Sequence, residues 1–356
     1  MKNREKRSKP DKMLLAVVVF LWVLLARAGK KESQNNQPSF DPKQLVWPLP
    51  PDKPRIRFLA AYNNNFDVEP RKKISWVDRM VGNEDPNKME VFEKPAGVAT
   101  DSKGRILVAS LQRSTVFIID EDHRQLTRVR GDRGIVLRNP LGLAVDSKDS
   151  FYLSDPGLHM VLKFDRDGNL QGTVGNDDGM KNPTYLAIDG PRNRLFVVDS
   201  HLHQILVYDL GSLKLMQRLG KRGEKNGEFN FPVGIGVSRQ GYFAVTDTGS
   251  CSVQIFSPDF KFVRRFGKQG NTPGDFVRPK GVAFDNEGHI YVVDAAFNNF
   301  QIFNDKGQVL MFVGNLGTGP GAFNLPNGIY IDSSDRVYVT DQLNGRVQVF
   351  QFLGGD

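Results

Sequence analysis

Two histidines occupy similar places in the sequence and are the first candidates for chemistry. His159 stands in "SDPGLHMVLKF" and His203 in "VDSHLHQILVY", each ahead of a β-type run. The imidazole ring serves both as a metal ligand and as a general acid or base. Asn298 and Asn344 stand in what we take to be the same position of later segments. The histidines are therefore compatible with a zinc site, but the asparagines at the same position show that the repeat does not require a metal ligand there.

Aspartates recur at fixed distances, which raises the question of paired carboxylates. One series lies six residues after a recurring proline, and a second series follows nine or ten residues later. Because both series repeat with the chain, we expect them to cap turns through side-chain to backbone hydrogen bonds. The first series is Asp101, Asp146, Asp189, Ser238, Asp285 and Asp332, and the second is Ser110, Asp155, Asp199, Asp247, Asp294 and Asp341.

Three other patterns resemble active-site motifs only superficially. "DSHLH" at 199–203 contains Asp, Ser and His, but neighbours in sequence do not form a catalytic triad. The glycine-rich segments 220–229 and 267–276 lack the Gly-Lys-Ser/Thr ending of a phosphate-binding loop. Cys251 is the only cysteine, which excludes an intramolecular disulfide and a zinc–cysteine cluster.

A Pro-x-Gly motif divides most of the chain into similar units. Successive prolines are 45, 43, 49, 47 and 47 residues apart, and Tyr185 replaces the glycine of the third unit. Constant spacing within a unit indicates one supersecondary element repeated six times. The six prolines are Pro95, Pro140, Pro183, Pro232, Pro279 and Pro326.

Each unit contains four short β runs separated by turns rich in Asp, Asn and Gly. In the fifth unit the runs are "GVAFD", "HIYVVD", "FQIFN" and "VLMFVG". Four-stranded antiparallel meanders repeated every 40–50 residues are typical of propeller blades. The sixth unit ends before a fourth run, and an unassigned β run lies at 55–62. We therefore predict an all-β, six-bladed β-propeller of four-stranded antiparallel blades, closed by this N-terminal strand.

The N-terminal segment has the layout of a secretory signal. Basic residues up to Lys12 precede an apolar run at 13–26, and "ARA" at 26–28 has the form of a cleavage site. The run is shorter than the roughly 20 residues that span a bilayer as a helix. We expect export to the periplasm or the extracellular space, with an uncleaved membrane anchor as the alternative.

The remaining boundaries follow from composition. Residues 29–54 are rich in Pro, Gln, Asn and Lys and are interpreted as a linker, with Trp47 packed on the folded body. The propeller is assigned to 55–356, and 72–82 is expected to form a short helix or turn. The chain has a formal charge of +8, of which 1–28 carry +5 and the rest +3. So small a positive charge on the body gives no reason to expect nucleic-acid binding.

The repeated proline, glycine, aspartate, "IYVVD" and "QIF" or "VQVF" resemble NHL repeats. The resemblance implies a six-bladed propeller used mainly for binding proteins, RNA or small ligands. Amidating lyases of related fold share the "HQ" found at His203, bind a metal through histidines and have a histidine just after the repeat proline. Here those positions hold Ala96, Leu141, Thr184, Val233, Lys280 and Asn327. We expect no cofactor, with zinc or calcium in the channel as the alternative.

Two classes of function remain. The first is an exported monomeric propeller that binds a protein or small ligand, and the alternative is a propeller hydrolase or lyase of lactonase or amidating-lyase type. On the face that carries the Pro-x-Gly entries, equivalent positions hold different residues in different units. Because recognition usually lies on loops of a rigid scaffold, we predict the binding site at the channel mouth on this face. A solvated surface without function is the other interpretation. The candidate residues are Tyr185, Lys280, Asn327, Arg113, His159, His203, Phe297, Asn298 and Asn344.

Overall fold

The computed structural model describes residues 41–71, 87–175 and 177–354. Contacts divide the chain into Met1–Asp41 and Pro42–Asp356, and the description below concerns the second unit. The expected signal segment 1–28, residues 29–40 of the expected linker and the expected helix or turn at 72–82 lie outside the described residues. Within the described ranges, no helix has the length and apolarity that crossing a bilayer requires.

The strands form six antiparallel blades, as predicted. Blade one contains β3 (Pro95–Thr100), β4 (Ile106–Ser110), β5 (Thr115–Asp120) and β6 (Gln125–Val129). A two-stranded ribbon of β7 (Gly131–Asp132) and β8 (Ile135–Val136) leads to blade two, which contains β9 (Leu143–Val145), β10 (Phe151–Asp155), β11 (Met160–Phe164) and β12 (Leu170–Val174). Blade three contains β13 (Pro183–Asp189), β14 (Arg194–Asp199), β15 (Gln204–Asp209) and β16 (Leu215–Leu219).

The second half of the ring repeats the same order. Blade four contains β17 (Pro232–Val237), β18 (Phe243–Asp247), β19 (Ser252–Phe256) and β20 (Phe262–Phe266). Blade five contains β21 (Pro279–Phe284), β22 (Ile290–Asp294), β23 (Asn299–Phe303) and β24 (Val309–Val313). Blade six contains β25 (Pro326–Ile331), β26 (Arg336–Asp341) and β27 (Arg346–Phe352). Short 3₁₀ turns lie at Pro42–Gln44, Asn65–Asp67, Gly190–Arg192 and Thr248–Ser250.

The N-terminal strand closes the ring, as the sequence predicts. β2 (Ile56–Tyr62) pairs antiparallel with β27, with Ile56 opposite Phe352 and Tyr62 opposite Val347. A further strand, β1 (Val46–Trp47), pairs with the outer edge of β2, so blade six has five strands. The Trp47 ring lies 5.8 Å from the Phe350 ring. Part of the segment interpreted as a linker thus belongs to the sheet.

The hydrophobic core consists of six clusters among the described residues, one at each junction between neighbouring blades. β22 shows the cause, because successive side chains of a strand point to opposite faces. Tyr291 and Val293 pack toward blade six, whereas Ile290 and Val292 pack toward blade four. A middle strand is buried on both faces, which explains the uninterrupted apolar run "IYVV".

The repeat glycine is required by the close approach of neighbouring inner strands. A Cβ on Gly328 would lie 2.1 Å from the Ala96 carbonyl oxygen, and a Cβ on Gly97 would lie 2.2 Å from that of Leu141. Both distances are shorter than any contact a Cβ can make. Hydroxyl groups reinforce the same junctions: Thr340 Oγ1 donates to the Ala96 carbonyl at 2.7 Å.

The recurring aspartates cap turns, as expected. Asp146 Oδ1 accepts hydrogen bonds from the backbone N–H groups of Lys148 (2.9 Å) and Ser150 (3.0 Å) in the turn after the inner strand. Asp294 represents the second series: its carboxylate accepts from the N–H of Val277 at 2.7 Å and from that of Ala296 at 2.9 Å. Most of the recurring carboxylates are therefore hydrogen-bonded to the backbone that they order, whereas Asp189 contacts the Arg192 guanidinium at 3.3 Å instead.

Candidate functional site

The six inner strands surround a central channel that holds a cavity of about 260 Å³. The lining comes from the later halves of these strands, on the side of the "DSKG"-type turns rather than the Pro-x-Gly entries. The lining residues include Val98, Val145, Tyr185, Ile188, Ile235, Val237, Val282, Phe284, Ile329 and Ile331. Tyr185 is the member closest to the Pro-x-Gly entries, so the channel narrows there.

Tyr185 closes the channel beneath the mouth on the Pro-x-Gly face. Its single hydroxyl proton is shared between Asn327 Oδ1 at 3.1 Å and the Ala96 carbonyl oxygen at 3.3 Å. Blade three lies opposite blade six in a six-bladed ring, so the bond to Asn327 crosses the axis. The side chain is buried, and burial raises the pKa of the phenol. The structure thus brings together two of the predicted site residues through a bond across the channel.

Lys280 occupies the same repeat position in blade five as Asn327 does in blade six, directly after the proline. It is half-buried, and its pKa lies below the usual lysine value. Burial is the main cause, the charge of Arg278 acts in the same direction, and Asp294 opposes them. Among the described residues, the Lys280 ammonium has no hydrogen-bond or ion-pair partner.

The two histidines occupy a recurring left-handed position, four residues after the second aspartate of each unit. His159 has φ 58° and His203 has φ 56°, and Asn298 of blade five has φ 56°. Polar side chains of this kind tolerate the left-handed region better than most. The other blades place Ser114, Cys251 and Gly345 there. The sequence predicts Asn344 at this position, and that prediction is wrong by one residue, because Gly345 occupies it.

Side chains at the left-handed position bind the connection that leads into the next blade. His159 Nδ1 contacts the Lys181 carbonyl, and His203 Nδ1 accepts from the Phe231 N–H at 3.3 Å. Asn298 Oδ1 accepts from the Leu325 N–H at 2.8 Å. Ser114 and Cys251 make equivalent bonds to Arg138 and Val277. These hydrogen bonds connect neighbouring blades, so both histidines stabilise the fold.

The remaining predicted residues lie on the same face, in the loops between the second and third strands of their blades. Arg113 forms an ion pair with Glu93 at 2.6 Å, with both side chains partly exposed. Asn344 Nδ2 donates to the Gly317 carbonyl at 2.8 Å. Phe297 is half-buried. Of the nine candidates, Tyr185, Asn327 and Lys280 have the repeat positions that form the channel mouth.

An aromatic residue on this face, Phe231, was not among the residues predicted from the sequence. Phe231 is 46% exposed and has φ 80°, an uncommon backbone conformation for a bulky residue. Its ring lies 5.9 Å from that of His201 and 5.8 Å from that of His203. It stands one residue before the repeat proline, in the place of Leu325 in blade six. The sequence feature that could have predicted this exposed ring is an apolar residue directly before the proline in an otherwise polar connection.

Metal binding was considered because of the histidines and the aspartates. Within the described ranges, no three His, Cys, Asp or Glu side chains lie close enough together to share a metal ion. On the opposite face, Asp332 contacts Arg336 at 2.7 Å and Asp101 contacts Arg105 at 2.6 Å. A cavity of about 490 Å³ lies between these charged turns and shares Val145 and Tyr330 with the channel lining.

Comparison with known proteins supports the fold. A family model described as a 6-bladed beta-propeller matches residues 282–356. The peptidylglycine alpha-amidating monooxygenase of Rattus norvegicus is 24% identical over 165 residues, which are 42% of this chain and 17% of that protein. The peptidyl-glycine alpha-amidating monooxygenase B of Xenopus laevis is 24% identical over 163 residues, 42% of this chain and 18% of that protein. The matched region spans less than a fifth of these relatives.

Solved structures resemble the whole ring. The virginiamycin B lyase of Staphylococcus aureus has a TM-score of 0.57 at 11% identity, covering 84% of this chain and 100% of that one. Kuenenia stuttgartiensis hydrazine synthase has a TM-score of 0.54 at 16% identity, covering 75% of this chain and 79% of that one. At such identities the likeness concerns the fold alone. Strand order, family model and structural neighbours agree that the chain is an all-β, six-bladed propeller.

Proposed function

We propose that this chain is an exported propeller of NHL-repeat type that binds a protein or small ligand at the channel mouth on the Pro-x-Gly face. The observation that carries the proposal is the bond between Tyr185 and Asn327 across the channel. It connects the inner strands of two opposite blades beneath the Pro-x-Gly face, and a bound ligand would rest on it. Lys280 and Asn327, each half-buried, stand one residue nearer to the face than the Tyr185 position.

A rigid floor with polar groups around it suits recognition. The inner strands are held to one another by backbone contacts and hydroxyl bonds, so the mouth changes shape little when a ligand arrives. Pre-organisation of this kind lowers the ordering cost of binding. Phe231 and Phe297 add aromatic surface on the same face, and aromatic residues are enriched among the contacts that dominate binding energy.

The proposal is tested by identifying a ligand and mapping its site. Full-length protein is incubated with an envelope extract of its host, and bound proteins and small molecules are identified by mass spectrometry. Affinity for the enriched species is then measured with the double variant Phe231→Ala, Phe297→Ala. We expect binding to weaken at least tenfold, about 1.4 kcal/mol.

The control lies on the opposite face. The double variant Lys103→Ala, Lys306→Ala removes two exposed lysines from the short turns. We expect it to bind as the wild type does. Loss of affinity in this variant with full affinity in the Phe231, Phe297 variant places the site on the turn face and overturns the proposal, as does the absence of any enriched species.

A hydrolase or lyase is the second candidate, favoured by the sequence similarity to amidating monooxygenases. This alternative would need a metal in the central channel, but the described channel lining contains no His, Cys, Asp or Glu to hold one. The measurement is the metal content of purified protein after dialysis, together with turnover of lactone and peptide substrates. Stoichiometric zinc or calcium with turnover supports the enzyme, whereas metal-free protein that still binds its ligand supports the binding module.

A further inference from the structure

We infer that the channel mouth recognises a carboxylate attached to an apolar group, through the Lys280 ammonium and the Asn327 amide. The inference rests on the proposed function and names the chemistry of the ligand. Two polar groups at the mouth lack partners among the described residues, their strands lie close together, and apolar residues lie beside them.

Lys280 supplies the charge. Its ammonium is half-buried and, within the described ranges, has no carboxylate or other acceptor. Taking an ammonium out of water without a counter-charge costs free energy that a bound anion recovers. The lowered pKa of this lysine has burial as its main cause, in agreement with a site that a negative charge would complete.

Asn327 supplies a directed donor next to that charge. Its Oδ1 accepts the Tyr185 hydroxyl at 3.1 Å, so its Nδ2 is the group left to donate. No described residue accepts a bond from Nδ2. The two strands run close together here, because a Cβ on Gly281 would lie 3.0 Å from the Asn327 carbonyl oxygen. Lys280 and Asn327 thus lie at the same repeat position of adjacent inner strands.

The residues at the neighbouring repeat positions indicate which chemical group is attached to the carboxylate of the ligand. Val233 holds the same position in blade four, and the Thr246 hydroxyl of that blade bonds the Lys280 carbonyl at 2.5 Å. Leu141 holds it in blade two. Phe231, 46% exposed, precedes the blade-four proline. One cation, one amide donor and apolar surroundings match a single carboxylate with an apolar body better than a multiply charged phosphate.

Two sources present this chemistry, a small carboxylic acid and the C-terminus of a protein chain. The experiment titrates purified full-length protein by calorimetry with 3-phenylpropionate and its uncharged amide. A second arm uses the peptide acetyl-Ala-Ala-Phe with a free or an amidated C-terminus. We expect each acid to bind at least tenfold more tightly than its amide, and the arm with the higher affinity identifies the source.

The variant that tests the contact is Lys280→Met, which keeps the length and removes the charge. It relieves an unpaired half-buried cation, so we expect the melting temperature to stay the same or rise while acid binding falls at least tenfold. Lys268→Met removes an exposed lysine from the same face and is expected to bind as the wild type does.

Within the titrations, three results overturn the inference: acid and amide binding equally, Lys280→Met binding the acids normally, and no saturable binding of either acid at millimolar concentration. The proposed function fails separately. If the ligand captured from the envelope depends on Phe231 and Phe297 but carries no carboxylate, the binding site stands and only the carboxylate inference falls.

Discussion

At equivalent positions of the repeat, some residues stabilise the contacts between blades, whereas others depart from the repeat and are candidates for the site. Four residues after the second aspartate of a unit, the chain adopts a left-handed conformation, and His159, His203 and Asn298 there bind the next connection. Two residues after the proline, glycine lets neighbouring strands approach, except at Tyr185. Departures from the repeat are therefore more informative about function than the repeated residues are.

The repeat glycine gives a residue-scale prediction. Gly328→Ala forces a Cβ to within 2.1 Å of the Ala96 carbonyl oxygen at the junction of blades six and one. Overpacking of this kind typically costs about 1–3 kcal/mol. We expect a clear fall in the free energy of unfolding, measured by urea denaturation.

Gly172→Ala is the matched control, because a Cβ there meets only Leu213 Cδ1, at an ordinary 3.8 Å. It replaces a glycine within an outer strand, where alanine costs less conformational entropy on folding. Equal stability of Gly328→Ala and Gly172→Ala would contradict the close approach of the inner strands.

At the scale of elements, the blades are similar but their edges differ. Blade six is completed by β2 and extended by β1, whereas blades one to five end at their fourth strand. Exposed apolar residues such as Leu310 and Phe312 lie on the outer strand of blade five. The outermost strand of blade six is therefore the one that comes from the distant end of the chain.

Removal of β2 should open the ring. Without it Phe350, Val347 and Phe352 of β27 lose their antiparallel neighbours, and the Phe58–Phe350 ring contact at 5.6 Å disappears. We expect a chain lacking residues 1–62 to lose several kcal/mol, a large fraction of the roughly 5–15 kcal/mol typical of domains, and to aggregate through its open edge.

Thermal unfolding provides the measurement, and a chain lacking only residues 1–40 serves as its comparison. The shorter deletion keeps β1 and β2 and should melt close to the full-length protein. Identical melting temperatures for the two deletions would show that the ring does not need its N-terminal strand.

At the scale of the whole molecule, stability is distributed around the ring. Each junction has its own hydrophobic cluster, and blade six is complete only when β2, near residue 56, pairs with β27, near residue 352. Contacts so distant in sequence slow folding.

Export leads to a prediction about the intact protein. The basic stretch, apolar run and Ala-Arg-Ala of residues 1–28 predict cleavage. N-terminal sequencing of the protein isolated from its host should begin near Gly29, and the protein should be recovered from the envelope or medium. A cytosolic protein that retains Met1 would show that the segment is not a secretory signal.

The sequence by itself determined the number of blades, the strand order and the ring closure. Periodicity of Pro-x-Gly and of aspartate depends on local turns and alternating burial, which are written in short stretches of chain. The sequence also showed that His159 and His203 occupy equivalent positions in their units. The prediction that Asn344 shares this position was wrong by one residue. The sequence places the polar residue Asn344 opposite the histidines, whereas in the structure Gly345 adopts the left-handed conformation at that position.

Only the tertiary structure decided what Tyr185 does. The sequence shows that it replaces a glycine, but its partner Asn327 lies 142 residues away. The two meet because blades three and six stand opposite each other across a channel narrow enough for one aromatic side chain. The missing partners of the Lys280 ammonium likewise depend on which side chains the ring brings to the mouth. Distances across a closed ring are properties of all six blades together, and no single repeat contains them.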